Sequence, residues 1–364
     1  MHPRAPQPDA GRRPATAPTA PIRATLSTKS FGATRAACLG VGALLLATLG
    51  LTQTAIPAGA QSGGSVNLVA YSTPKPAYTV LAQDFAKTSA GAGVTVAPSF
   101  GPSGTQATSV VDGLPADVVN FSLEPDMAKL VKAGLVSSSW NTTPTKGIVT
   151  DSIVSFVVRP GNPKHIKTWA DLTKSGVQVV TPNVFSSGSA KWNIMAAYGA
   201  EIRQGKTPAQ ARAYLSQLLH HAVAQPSSAS AALQTFLSGQ GDVLLDYEDD
   251  ALYAKAKGEP VTIVTPPQTI LIQNPIAVTK NAGAGAKAFE SYLLSPAGQK
   301  VWGQQGYRPV LPKVAAQFHF PQPHVLFTID QLGGWTSVNT TFFDPQTGIV
   351  AKVEQSLGVS TASS

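Results

Sequence analysis

The chain has 364 residues, 43% of them hydrophobic and only 13% charged. That length supplies about two buried domains, and such low charge together with 32 Gly and 29 Pro excludes a disordered polyelectrolyte in favour of a compact, loop-rich protein. The net charge of +8 is poor support for a nucleic-acid partner, because most of it sits at one end of the chain.

The first sixty residues carry six cations (Arg4, Arg12, Arg13, Arg23, Lys29 and Arg35) against a single acid, Asp9. An apolar run over 38–51 follows, and then Ala58-Gly59-Ala60. A basic segment, an apolar stretch and a small-x-small site predict a secretory signal peptide over 1–60, cleaved after Ala60. The run falls short of the roughly 20 residues that a membrane span requires. Without the leader, twenty-one cations face eighteen acids, a net of +3. Cys38, the one cysteine, opens the apolar run instead of following it, so no lipid anchor, disulfide or thiol chemistry is expected after cleavage. An exported chain with no anchor is expected in a periplasm.

From there short apolar runs alternate with helical patterns. Strands are expected at 68–71, 94–96 and 117–121. Helices fall between and after them: one carries Tyr78, Leu81 and Phe85 on a single face, one starts at Thr105, and one over 127–133 stops at Gly134. The alternation resumes after 153–158, with strands at 177–180, 243–245, 261–264 and 276–279. Its helices span 169–174, 190–200 with a stop near Gly199, and 286–294. Thr207-Pro208 is a good helix start, with Thr as the cap and Pro in the first turn. The Ser/Thr-rich tail beyond Gly348 is expected to fray. The pattern predicts an α/β protein of two lobes with a mainly parallel sheet in each and a ligand cleft between them. Lobe 1 is expected to take 65–152 and 275–345, lobe 2 to take 153–274, and 346–364 to form a flexible tail. The chain would cross between lobes near 151–158 and 268–277.

Three strand-to-helix turns share one chemistry. Gly101-Pro102-Ser103-Gly104, Ser186-Ser187-Gly188-Ser189 and Ser227-Ser228-Ala229-Ser230 each place hydroxyls and backbone N–H groups at a helix N-terminus, where partial positive charge favours an anion. Ser and Gly are ordinary caps, so one such turn means little; three, each following a strand, form a pattern. Donors without formal charge suit a fully ionised dianion. A protonated phosphate needs an acceptor for its own proton, and the turns contain no acid. Affinity for such a dianion would stay flat from pH 5 to 8.

The strings GPSGTQATSV (101–110), VVRPGNPK (157–164), SSGSAKWN (186–193), GDVLL (241–245) and SPAGQ (295–299) occur in order over nearly the whole chain after the leader. YRP (307–309), FTID (327–330) and GGW (333–335) follow. Together they resemble the periplasmic sulfate-binding proteins of sulfate/thiosulfate importers. The resemblance implies the type II periplasmic-binding-protein fold, a dehydrated sulfate between the lobes, no cofactor and no metal. It also implies a monomer that delivers sulfate to an ABC permease in the inner membrane. Carried onto this chain, Ser103 and Ser187 match the family's hydroxyl donors, and Gly188 and Ala229 its backbone donors. Ser72 stands where the family has an Asp that acts through its N–H. Ser189 replaces a Gly and keeps the N–H. Tyr247 replaces an indole donor with a phenol, which can also accept a hydrogen bond.

Other readings stay open. A binder of molybdate or phosphate would use similar turns. An exported hydrolase would need Ser103 as nucleophile, but Gly101–Thr105 departs from G-x-S-x-G at its last position. Glu248, Asp249 and Asp250 read more readily as a solvated helix start than as a metal site. The histidines lack ligand spacing. Trp169, Trp192, Trp302 and Trp335 read as packing, and Lys75 and Lys191 as solvated.

Overall fold

The computed structural model describes residues 64–362, so the expected leader over 1–60 lies outside the described residues. The first part alternates as its hydrophobic periods dictate: β1 (Ser65–Tyr71), α1 (Lys75–Ala86), β2 (Thr95–Gly101), α2 (Ser103–Val111), β3 (Val118–Asn120) and α3 (Glu124–Lys132). β1 pairs in parallel with both β2 and β3. The long strand β4 (Ile148–Val158) leads into a second alternating run. This holds β5 (Val179–Val180), α4 (Gly188–Arg203), α5 (Pro208–His220), β6 (Ala222–Ala224), α6 (Ala229–Leu237), β7 (Val243–Tyr247), α7 (Glu248–Ala256) and β8 (Thr262–Val264). Here β5 pairs in parallel with β6 and β7. A second long strand, β9 (Gln268–Val278), returns. The chain then makes α8 (Ala284–Leu294), α9 (Pro296–Gln304), β10 (Arg308–Pro309), α10 (Pro312–Ala315), β11 (Val325–Phe327), α11 (Gly334–Val338) and α12 (Ile349–Ser356).

The strands run in the order β2-β1-β3-β9-β4-β7-β5-β6. β4 and β9 pair antiparallel, with Thr150 opposite Asn274 and Ile153 opposite Leu271. The far end of β9 edges β3, and the far end of β4 edges β7, both antiparallel. Each long strand therefore serves both lobes, and residues 151–158 and 268–277 lie within them. This is the two-lobed α/β fold, with a largely parallel sheet in each lobe.

Both sheet faces are covered, which explains why the inner strands read as continuous apolar runs. In the first lobe Leu68, Phe85, Phe289 and Trp302 pack on one face, and Val69, Phe121, Met127 and Leu130 on the other. In the second, Phe156, Trp169, Trp192 and Leu215 oppose Val180, Phe236 and Leu244. All four tryptophans read as packing are buried. Among the described residues no helix is long and apolar enough to cross a membrane.

Three expectations change. Gly199 does not end a helix. It lies inside α4, where a Cβ would sit 2.2 Å from the Phe327 ring, so only glycine lets β11 approach. The tail does not fray after Gly348: α12 buries Val350, Ala351 and Glu354. And Phe327, Trp335, Val338, Phe342 and Phe343 join the second lobe's core, because β11 runs parallel to the start of β9.

Candidate oxyanion-binding site

Each of the three turns opens a helix: α2 at Ser103, α4 at Gly188 and α6 at Ala229. The residues preceding α2 and α4, Pro102 and Ser187, place no side chain on the first-turn N–H groups, whereas Ser228 caps α6 by accepting from Ala231 N. The N-termini of α2 and α4 are thus the pair best able to give N–H groups to an anion.

The turns adjoin one another. A Cβ on Gly104 would lie 3.2 Å from the Ser186 carbonyl oxygen. Ser186 Oγ in turn donates to the Ser227 carbonyl at 2.9 Å. Ser103, Ser187, Ser189, Ala229 and Tyr247 are all buried, and Ser72 is half-buried behind Tyr71, whose ring lies 6.3 Å from that of Tyr247.

A residue the sequence reading passed over joins most of them. Ser122 follows β3, and its N–H donates to Ser103 Oγ at 2.9 Å. Its hydroxyl bonds the Tyr247 hydroxyl at 2.7 Å. Its carbonyl accepts from Trp192 Nε1 at 2.8 Å and from Asn274 Nδ2 at 3.1 Å. A Cβ on Gly188 would come within 2.7 Å of Ser122 Oγ. Ser122 is therefore where α2 and α3 of one lobe meet α4 and β7 of the other. It sits in a fourth strand-to-helix turn, which its sequence, Ser122-Leu123-Glu124-Pro125, disguises by offering a single hydroxyl beside an acid and a proline. Ala229 is tied in only through Ser186 and Ser227, and Ser72 only through Tyr71.

The hydroxyls are partly engaged with each other. Ser187 Oγ and Ser189 Oγ lie 2.8 Å apart. Ser103 donates to Asp126 Oδ2 at 2.7 Å, so a carboxylate does touch one of the turns, contrary to the expectation of an acid-free site. Lys129 pairs with the other oxygen of that carboxylate at 3.1 Å, which offsets its charge. Burial drives the pKa of the Tyr247 phenol well above its usual range and keeps it neutral. Beside the turns a cleft of about 440 Å³ is lined by Gly104, Asp126, Lys129, Ser187, Gly188 and Lys191, among others. Lys191 is not the solvated side chain expected. It is half-buried, donates to Asn339 Oδ1 at 3.2 Å and lies over the Phe343 ring, and burial lowers its pKa.

The start of α7 also differs from the expectation of a solvated helix end. Glu248, Asp249 and Asp250 are buried, as is Asp246 at the end of β7. Arg308 forms a bidentate pair with Glu248, at 2.7 and 3.0 Å.

Residues 66–308 match the family of bacterial extracellular solute-binding proteins. The sulfate-binding protein of Synechococcus elongatus is 39% identical over 314 residues, covering 81% of this chain and 89% of its own length. A thiosulfate-binding protein of Pseudomonas aeruginosa is 34% identical over 279 residues, 73% of this chain and 84% of its own. The solved structure of the sulfate-binding protein SubI from Mycobacterium tuberculosis H37Rv superposes with a TM-score of 0.74 at 45% identity, covering 76% of this chain and 98% of that one. Crossing strands, adjoining turns and shared sequence thus place this chain in the bacterial extracellular solute-binding protein family, beside relatives that include sulfate-binding and thiosulfate-binding proteins.

Proposed function

We propose that this chain captures sulfate, or thiosulfate, outside the cytoplasm and presents it to an ABC permease. The observation that carries the reading is the meeting of helix N-termini α2 and α4, from opposite lobes, beside Ser122, where hydroxyls and N–H groups gather. An anion held by donors from both lobes binds the closed arrangement more tightly than an open one, so it favours closure. The site would be Ser72, Ser103, Ser187, Gly188, Ser189, Ala229 and Tyr247, with Ser122 closing it. The lobes would divide at β4 and β9, with 325–357 assigned to the second. A signal peptide over 1–60, a periplasmic location and a monomeric state complete the reading. Binding without catalysis is part of the reading, with Ser103 bonded to Ser122 and Asp126.

A calorimetric panel of sulfate, thiosulfate, phosphate and molybdate tests the reading. Sulfate or thiosulfate should bind most tightly, and tight binding of phosphate alone would reverse it. One observation favours that second outcome: Asp126 on Ser103 offers an acceptor to a protonated oxyanion. Ser187→Ala should weaken sulfate binding by about 1–3 kcal/mol with an unchanged melting temperature. Unchanged affinity would remove Ser187 from the site.

A further inference from the structure

Behind Tyr247 lies a group of buried acids that the anion site does not use. Asp246 and Glu248–Asp250 come from the β7–α7 junction and are buried, and the half-buried Asp151 comes from the crossing strand β4. Asp249 Oδ1 accepts from Ser152 of β4, while Asp249 Oδ2, Asp250 Oδ2, Asp246 Oδ2 and Asp151 Oδ1 are buried with no hydrogen-bond partner. The hydroxyls of Tyr71, Thr73 and Tyr307 are buried beside them, and that of Tyr307 interacts with both Asp249 and Tyr71. Thr73, Tyr307, Asp249 and Asp250 line one small, partly open pocket together with Tyr253 and Gln305. Tyr307 belongs to the first lobe's core, and Tyr71 and Tyr247 pack with the second, so the group sits where the lobes join.

Charge decides the state of this group. Among the described residues five carboxyl groups face one cation, Arg308, whose guanidinium pairs with Glu248 and also draws the pKa of Asp151 down. The other groups facing the acids are the phenols of Tyr71, Tyr247 and Tyr307, the Ser152 hydroxyl and Thr73. Asp246, Asp249 and Asp250, buried side by side without a cation of their own, are costly to ionise together, so some of the group hold protons. Protonation also supplies O–H donors for the orphaned oxygens. Burial pushes Asp249 and Asp151 up to about 7, and it raises Asp246 and Asp250 too, each of which feels another acid's charge. The group therefore titrates at neutral pH. The charge of Asp249 reaches Tyr247 and raises its phenol further, so the group and the anion site sense each other.

We propose that the chain takes up protons on these buried carboxyl groups when it binds its oxyanion, so that a lower pH tightens capture and a higher pH loosens it. The inference rests on the oxyanion reading above. A dianion beside Tyr247 and Ser122 adds negative charge next to unpaired acids, which favours their neutral forms, and by reciprocity neutral acids favour the dianion. The flat profile expected from the turns alone is replaced by a sloping one.

The test is titration calorimetry with sulfate at pH 6, 7 and 8.5, each in two buffers of different ionisation enthalpy. Sulfate does not titrate in this range, so any proton exchange belongs to the protein. The expected result is net proton uptake near pH 7.5 and an affinity about tenfold weaker at pH 8.5 than at pH 6. Asp250→Asn should still bind at pH 6 and should reduce both the uptake and the pH dependence. Sulfate binding with no proton exchange in the unaltered protein overturns this inference alone. The absence of binding by every anion of the panel at every pH overturns the oxyanion reading and this inference with it. The buffer comparison decides the matter even if Asp250→Asn does not fold.

Discussion

Gly188→Ala should weaken sulfate binding about 30- to 100-fold while leaving the unliganded protein as stable as before. The added Cβ would meet Leu123 Cδ2 at 2.4 Å and Ser122 Oγ at 2.7 Å, across the boundary between α4 and the β3–α3 turn. Overpacking of this kind costs about 1–3 kcal/mol. The backbone of Gly188 is not in the left-handed region that favours glycine, so alanine brings no strain within α4 itself. Under the proposed lobe closure this clash arises where the lobes meet, so its cost falls on closure and hence on affinity. Calorimetry gives the loss, and a thermal melt without ligand checks that the fold is intact. A variant with the affinity of the original protein would show that binding does not use the Ser122 contact.

The second large effect is on stability against pH. Asp151, Asp249, Asp250 and Asp246 all have raised pKa values in the fold, with burial the leading cause. In the unfolded chain such groups titrate near 4. Between there and about 7 the folded protein holds more protons than the unfolded one, so stability falls as pH rises through that window. The contribution is complete below the unfolded values and lost above the folded ones. A shift from near 4 to near 7 corresponds to about 4 kcal/mol for one isolated group. The melting temperature should be several degrees higher at pH 5.5 than at pH 8.5, and Asp249→Asn should flatten the difference. A protein most stable at pH 8.5 would mean that these carboxyl groups are ionised in the fold. The sign is opposite to the usual acid denaturation of proteins whose carboxylates are salt-bridged.

Much of the architecture is legible in the sequence because its elements obey local rules. Thr207-Pro208 opens α5 as expected, with Gln210 completing a reciprocal cap. Gly134 ends α3 with a positive φ. The site is legible as far as it consists of turns, since Ser and Gly beside helix starts carry their chemistry locally. Ser122 is different. Nothing near it in the chain announces bonds to Tyr247, 125 positions away, or to Asn274, 152 positions away. Gly199 misleads for the same reason: the Phe327 ring that requires it arrives from a distant strand. The acids of α7 mislead most. Three carboxylates in a first helical turn ordinarily favour the helix dipole and face water, and only the packing of β4, β10 and Tyr307 against them removes that water.

Because Phe327, Trp335, Phe343 and Val350 complete the core built by residues 154–272, and Phe289 and Trp302 complete the one begun at Leu68, neither half is finished until its late segment arrives. A nascent chain released N-terminus first would hold both hydrophobic nuclei open until nearly all of it had emerged. This obliges the two halves to mature together rather than one after the other.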